Sequence, residues 1–474
     1  MSAQRAIHAS WRHQLDCRAF VLALFAAGYR GAMIAMDPGT GKSKTAIDIM
    51  QDLTPGLVLI VCPMRVIEVW RYQLEQHADF PYLFRGLDES AGSVANKTKI
   101  ARDAMALARV TRETCILAIN YESVWLEPFA PLAMSIAWPL IIADEVHRLK
   151  QASGKCSRFM GRLATRAVHR LGLTGTPLPH TKLDLWAQFR FLERGIYDET
   201  FTLYKMRYGV GGGYQNRALT GWRDEEEWRR KFFLISFRVS KEVLDLPPEM
   251  DQTLYTDLSP AGRQVYEQLE NDFMAWLGDR PEEELTVINA LSLLLRLQQL
   301  TGGTLRDDQR QEHLIDRSKE ALLADWLLDQ PRDEPIVIFA RFKADLAAIA
   351  RASKRSGITS SEVSGDSPGG IAEWQAGNSQ VLAAQIQVAS EGQDLTRARY
   401  CVFYSMGFSL FQYIQARARV HRAGQTRPTT YFHLLCRGTV DEKVLRAVQQ
   451  RQQIVEAVLE ELKNNVARKS ISGR

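Results

Sequence analysis

Short apolar runs of strand length alternate along this chain with longer amphipathic stretches of helical period. That alternation predicts an α/β fold built on parallel sheets. In the first part, strands are predicted at Ala32–Met36, Leu57–Cys62, Cys115–Ile119, Leu140–Ala143 and Arg170–Leu173. Ile47, Met50 and Leu53 follow Lys42 at helical spacing, and Val66, Val69, Trp70 and Leu74 do the same after the second run. From about Trp186 to Arg332 helical periodicity dominates (Tyr266, Leu269, Phe273, then Leu291 to Leu300), broken by the glycine-rich Gly209–Gly213. The alternation returns after Pro335, with strands at Ile336–Phe339, Val381–Gln385, Tyr400–Tyr404 and Thr430–Leu434. From Val440 the pattern reads as a long helix and then a tail, Lys463–Arg474, with four basic residues and no acid. The expected division is a first α/β lobe over 1–185 and a mainly helical insertion with the inter-lobe region over 186–332. A second α/β lobe follows over 333–445, then a C-terminal helix and basic tail over 446–474.

Composition narrows the class. A chain of 474 residues, 46% hydrophobic, with 60 Lys+Arg against 55 Asp+Glu, can bury large cores in several units, which excludes a mostly disordered or fibrous protein. The apolar stretch Pro128–Ala143 is too short and too broken by proline to span a bilayer, so no membrane association is expected. Arg5, Arg12 and Asp16 interrupt the N-terminus, so no signal peptide is expected and a reducing compartment follows. Cys17, Cys62, Cys115, Cys156, Cys401 and Cys436 are scattered without a C-x-x-C pair, which fits small core residues rather than disulfides or zinc ligands. The net charge of +5 is uneven. Residues 401–474 carry 12 Lys/Arg and 5 Asp/Glu, so a partner bearing phosphates, or simply a basic solvated surface, belongs with that end.

Residues 36–43 read M-D-P-G-T-G-K-S, directly after an apolar strand and before a helical pattern. A phosphate-binding loop needs small residues so that backbone N–H groups can wrap a phosphate, a Lys to reach its oxygens and a hydroxyl for Mg²⁺. Gly39 and Gly41 supply the curl around Thr40, Lys42 the charge and Ser43 the hydroxyl, with Lys44 in the first helical turn. Met36 stands where the general pattern has Gly. About a hundred residues on, the strand Ile141–Ala143 ends in Asp144 and Glu145, followed by Val146 and His147. One carboxylate can hold Mg²⁺ and the next can orient and deprotonate water. His147, beside them, suits a coupling role.

The order M-D-P-G-T-G-K-S, D-E-V-H, L-T-G-T-P at Leu173–Pro177 and Q-A-R-A-R-V-H-R at Gln415–Arg422 resembles helicase superfamily II. Finer motifs resemble its Swi/Snf-type branch of double-stranded DNA translocases. These are V-C-P at Val61–Pro63, I-N-Y-E at Ile119–Glu122, D-L-W at Asp184–Trp186 and K-E-V-L-D-L-P-P at Lys241–Pro248. I-F-A-R-F at Ile338–Phe342, S-E-G-Q-D-L-T at Ser390–Thr396 and R-A-G-Q at Arg422–Gln425 follow. The resemblance runs from about residue 11 to 445 and implies two RecA-like lobes in tandem. No appended chromatin-reading module is recognised, so the chain resembles compact motors of bacteria, prophages or phages.

Position by position, the resemblance implies ATP and Mg²⁺ as cofactors. It gives Gln14 the adenine edge, Lys42 the phosphates, Ser43 and Asp144 the metal, and Glu145 the water, with Gly39, Thr40, Gly41 and Lys44 also on the ATP-binding side. Thr174 and Thr176 would link the nucleotide to the nucleic-acid track, with His147, Pro63, Arg65, Arg341, Ser390, Gly392 and Gln415 also on the coupling or nucleic-acid side. Asp394 would lie near the ribose, and Arg419 and Arg422 would close on the γ-phosphate, where a planar cation stabilises the transferring phosphoryl group. Ala418 departs from the family's usual Gly or acid, and Pro38 makes the loop unusual; neither removes a catalytic group. The expected function is a DNA-dependent ATPase moving along or remodelling double-stranded or branched DNA. It is expected as a monomer in the cytoplasm of a bacterial cell or phage-infected host, with replication, recombination or repair proteins as candidate partners. A single-strand or RNA helicase and an ATP-switched DNA clamp are the alternatives. Gly209–Gly213, Trp222 and Trp228 are open between DNA contact and ordinary loop and packing roles.

Overall fold

Strands β1 (Gly31–Met36), β2 (Leu57–Cys62), β3 (Tyr82–Leu87), β4 (Thr114–Asn120), β5 (Trp138–Asp144) and β6 (Ala167–Thr174) all pair in parallel, joined by β9 (Ser236–Val239). Between them in sequence, β7 (Gly209–Gly212) and β8 (Ala218–Trp222) form a separate antiparallel pair. A computed structural model of the chain describes residues 9–178, 181–212, 218–278, 287–306, 311–367, 369–389 and 394–450. Ser390, Gly392 and the expected tail beyond 450 lie outside the described residues.

The seven-stranded sheet runs β3-β4-β2-β5-β6-β1-β9. Its central strands are mainly apolar and buried on both faces, as parallel strands covered by helices must be. Helices α1 (Arg12–Ala26), α2 (Lys42–Leu53) and α3 (Val66–His77) pack on it through Val21, Ile47, Met50, Ile67, Trp70 and Leu74.

A second parallel sheet is built from β10 (Glu249–Thr256), β13 (Ile336–Ala340), β14 (Ser360–Val363), β15 (Val381–Gln385), β16 (Tyr400–Phe403) and β17 (Thr429–Cys436). Its order is β10-β17-β16-β13-β15-β14, and the short strands β11 (Thr304–Arg306) and β12 (Glu312–Leu314) pair apart from it. Alternation sorts its core onto two faces: Val337, Phe339, Leu382 and Phe403 pack on one, Ile336, Ile338, Val381 and Val402 on the other.

Both expected α/β lobes are present, and every strand predicted from an apolar run is found within three residues of its expected ends. The four main-sheet strands without such a run, β3, β9, β10 and β14, are the four sheet edges. An edge strand faces solvent on one side, so polar residues interrupt its pattern, as in Glu249–Thr256.

The division of the chain differs from the expected boundaries. It falls into two units, 1–244 and 245–474. The 186–332 stretch is therefore shared: helices Phe201–Tyr208 and Glu225–Ile235 lead to β9 in the first unit, while β10 and helix Pro260–Gly278 belong to the second. Trp228 is buried, in an aromatic cluster with Tyr197, Tyr204 and Phe232, so it packs; Trp222 is half-buried on β8. All six cysteines are free thiols.

Candidate functional site

Because all seven strands of the first sheet are parallel, their carboxyl ends share one edge, where open α/β sheets bind ligands. Met36 ends β1, Thr174 ends β6, Asp144 ends β5 and Cys62 ends β2. Since β6 lies between β1 and β5, the Thr174–Thr176 turn stands between the phosphate loop and the acidic pair.

The loop closes on itself. Gly39 and Gly41 take φ of 89° and 91°, a left-handed backbone open to glycine, and a side chain at Gly41 would run into Gln14 Nε2. The Lys42 ammonium donates to the carbonyls of Met36 (2.9 Å) and Asp37 (3.4 Å), and the Thr40 hydroxyl donates to Asp37 O at 2.7 Å. Ser43 sits in the first turn of α2, whose N-terminal N–H groups favour an anion. Gln14 is buried against this loop: Nε2 donates to Thr40 O (3.2 Å) while Oε1 accepts from Trp11 N (2.9 Å). Its carboxamide thus ties α1 to the loop, a task the sequence reading did not give it.

Lys44 differs from expectation. Its ammonium is buried, bonded to Asp48 Oδ1 (2.7 Å) and Ser10 Oγ (2.9 Å), so the side chain braces α2 instead of facing a phosphate.

Asp144 is buried at the end of β5. Trp70 Nε1 donates to Oδ2 and the Glu145 N–H to Oδ1, both at 2.9 Å, and the Tyr121 hydroxyl donates to its carbonyl at 2.8 Å. Burial, and then the adjacent Glu145 charge, push the Asp144 carboxyl up to about 6, against the pull of Lys42 and the Trp70 bond. A carboxylate in that position gains from a nearby cation, and a carboxylate with a hydroxyl is an all-oxygen donor set suited to Mg²⁺. Asp144 and Ser43 therefore fit the metal expected of them.

Glu145 adopts φ 54°, ψ 51°, a left-handed conformation that costs a non-glycine residue energy and that proteins retain at functional positions. Its Oε2 lies 3.2 Å from His147 Nδ1. The same nitrogen lies 3.1 Å from Thr174 Oγ1, which accepts from Thr176 N at 3.1 Å. The structure thus gathers Glu145, His147, Thr174 and Thr176 at one place. Hydrogen bonds run between His147 and Thr174 and from Thr176 N to Thr174, and the Glu145 carboxylate is in close contact with the imidazole. Pro63 and Arg65 form the turn between β2 and α3, with Pro63 buried and Arg65 exposed.

In the second unit, Arg419 and Arg422 are at the C-terminal end of helix Leu410–Val420 and just beyond it. Arg419 donates to Gln415 Oε1 at 3.1 Å, and its carbonyl accepts from Leu395 N at 3.0 Å. Gln425 Nε2 reaches the carbonyls of Thr396 and Ala398. These bonds set the Asp394 loop beside both arginines; Asp394 itself caps Thr396 N and Oγ1. Arg341 directly follows β13. It donates to Gln298 Oε1 at 2.9 Å and lies over the Phe408 ring, and burial pushes its guanidinium down to about 10.

The SNF2-related domain family matches residues 13–302, and the helicase conserved C-terminal domain matches residues 318–424.

The chain belongs to the SNF2-related family.

As a member it is an ATPase of helicase superfamily II. This SNF2-related chain is 24% identical over 373 residues to putative protein p41 of Acyrthosiphon pisum secondary endosymbiont phage 1, covering 73% of this chain and 77% of that one. It is 22% identical over 465 residues to the chromodomain-helicase-DNA-binding protein 1-like of Danio rerio, covering 93% of this chain and 43% of the relative. It is 22% identical over 466 residues to the ISWI chromatin-remodeling complex ATPase ISW1 of Saccharomyces cerevisiae, covering 92% and 39%. The chain therefore spans about two fifths of the length of those two relatives. A solved Sulfolobus solfataricus SWI2/SNF2 ATPase core, in complex with dsDNA, aligns over 98% of both chains with TM-score 0.44 and 20% identity. No helix among the described residues is long and apolar enough to cross a membrane.

The sequence reading missed Trp70, Tyr121, Asp37 and Arg238. Trp70 was legible only as one apolar position of a helix face, and nothing in its spacing signals a partner 74 residues away.

Proposed function

We propose that this SNF2-related chain is an ATP-driven motor that moves along double-stranded DNA. The observation that supports the reading is the grouping of Glu145, His147, Thr174 and Thr176. It sets the carboxylate assigned to water activation against a histidine that is hydrogen-bonded to the turn assigned to the DNA track.

Lys42 neutralises the β- and γ-phosphates, while the N–H groups of the Gly39–Ser43 loop and first helical turn wrap them. Ser43 and Asp144 would hold Mg²⁺, which neutralises phosphate charge when bound. Glu145 orients and deprotonates the attacking water. Gln14 lies against the loop where the resemblance assigns it the adenine edge. Arg422 and Arg419 supply fixed cations to the transferring phosphoryl group, with Asp394 near the ribose.

Pro63, Arg65, Thr174, Thr176, Arg341, Ser390, Gly392 and Gln415 are the proposed nucleic-acid and coupling positions. Such contacts grip the backbone and are blind to sequence. The K-E-V-L-D-L-P-P stretch and the helices between Trp186 and Ile235 favour duplex over single-strand tracking. We also propose that the motor acts as a monomer in the cytoplasm of a bacterial cell or phage-infected host.

One preparation tested two ways decides the reading. ATP turnover should be strongly stimulated by duplex DNA and much less by single-stranded DNA or RNA. The same preparation should displace a third strand from a triplex while barely unwinding a plain fork, since melting opposes stacking of about 1.4 kcal/mol per step. Efficient unwinding without triplex displacement would favour an ordinary helicase; DNA binding without turnover would favour an ATP-switched clamp.

A further inference from the structure

Asp37 puts a carboxylate inside a loop that has to accept a triphosphate. Left unneutralised, that charge would repel the ligand. The structure spends a specific cation on it. Arg238, on edge strand β9, donates through Nη2 to Asp37 Oδ1 at 2.6 Å. The second carboxylate oxygen accepts from Lys241 N at 3.1 Å, and the Asp37 N–H donates to Val239 O at 2.9 Å. Asp37 is thus tied to the strand and turn that immediately precede the end of the first unit at Leu244.

The other arm of the same guanidinium reaches two more elements. Arg238 Nη1 donates to Ala35 O at 3.2 Å, its register partner on β1, and to Gly175 O at 3.1 Å. Gly175 is the middle residue of the Thr174–Thr176 turn. It packs so closely on the phosphate loop that a side chain there would meet Pro38 Cδ at 2.9 Å. One planar fork therefore spans the loop's carboxylate, the strand that launches the loop, and the turn beside it. Lysine offers the charge but not the fork.

We propose that Arg238 is a positioning residue with two separable tasks. Its charge cancels Asp37 so that the loop can take an anion, and its fork fixes the loop in register with the Thr174–Thr176 turn. This rests on the reading of the loop as the ATP site.

The test uses the full chain and direct binding of a fluorescent ATP analogue, alongside kcat and thermal melting. Arg238→Ala should weaken nucleotide binding by about tenfold or more, as loss of a charge-assisted pair beside an anion site would. Arg238→Lys should restore affinity to within about threefold of wild type but leave kcat low, because the bonds to Ala35 O and Gly175 O are lost. In an Asp37→Asn background, Arg238→Ala should cost less than about threefold in affinity, since no charge remains to cancel. Equal affinity and kcat in Arg238→Ala and wild type would overturn the proposal. So would an undiminished affinity loss in the Asp37→Asn background, or an Arg238→Lys chain with normal kcat. If Arg238→Ala does not fold, Arg238→Lys still decides: restored affinity with low kcat supports the proposal, and normal kcat overturns it. Lys42→Ala separates the two readings: if it binds the analogue normally, the loop is not the ATP site and the underlying assignment fails instead.

Discussion

The indole N–H of Trp70 donates to Asp144 Oδ2 at 2.9 Å, joining the helix that follows the Pro63–Arg65 turn to the carboxylate that would hold Mg²⁺. Trp70 is buried, so the bond is shielded from water. Such second partners of a metal-binding carboxylate set its orientation and its charge state. Trp70→Phe keeps most of the volume and removes the donor. It should raise the Mg²⁺ concentration needed for half-maximal ATPase by about tenfold, at the lower end of what second partners contribute. An unchanged Mg²⁺ requirement, with only a lower melting temperature, would reduce Trp70 to packing.

Lys42 and Glu145 should fail differently. Lys42→Ala removes charge that ATP needs to bind, so affinity falls. Glu145→Gln keeps the shape of the side chain and removes the base, so ATP still binds and turnover is lost. Binding and turnover measured on both variants check this; near-normal turnover in Glu145→Gln would refute the assignment of the base.

Arg422→Ala should bind ATP and DNA yet scarcely hydrolyse, because removing an arginine finger costs about 10³–10⁵ in rate. A loss below roughly tenfold would hand the role to Arg419, its neighbour on the same helix end.

Asp345 predicts a pH effect on the second unit. It is fully buried, bonded to the Ser405 hydroxyl and to Phe342 N, and burial pushes its carboxyl from 3.8 up to about 6. The folded form therefore holds a proton between about pH 4 and 6 that the unfolded chain has released. Stability from this group is fully present below that window and is lost as pH rises through it, at about 1.4 kcal/mol per unit. Asp345→Asn cannot titrate. Urea unfolding at pH 5 and pH 7.5 should show the variant gaining on wild type at the higher pH; a constant difference would remove Asp345 as the cause.

The sequence alone determined the central architecture and which residues are proposed for the ATP site. Strands buried on both faces must be continuous apolar runs, so β1, β2, β4, β5 and β6 were legible. The positions of Gly39, Gly41, Lys42 and Ser43 after β1, and of Asp144 and Glu145 at the end of β5, were legible too, because the phosphate-binding and water-activating roles proposed for them call for those residue types at strand ends. The edge strands were not, since a half-solvated strand carries no unbroken pattern. Nor was the division at Leu244, which depends on which sheet β9 and β10 join. The tertiary structure alone decided who partners whom. It set Trp70 on Asp144, linked His147 to Thr174, and laid Arg238 across Asp37 and Gly175. These pairs bridge from 27 to 201 positions along the chain. A hydrogen bond between distant residues exists only once the sheet order brings their strands together, and local spacing carries no record of that order.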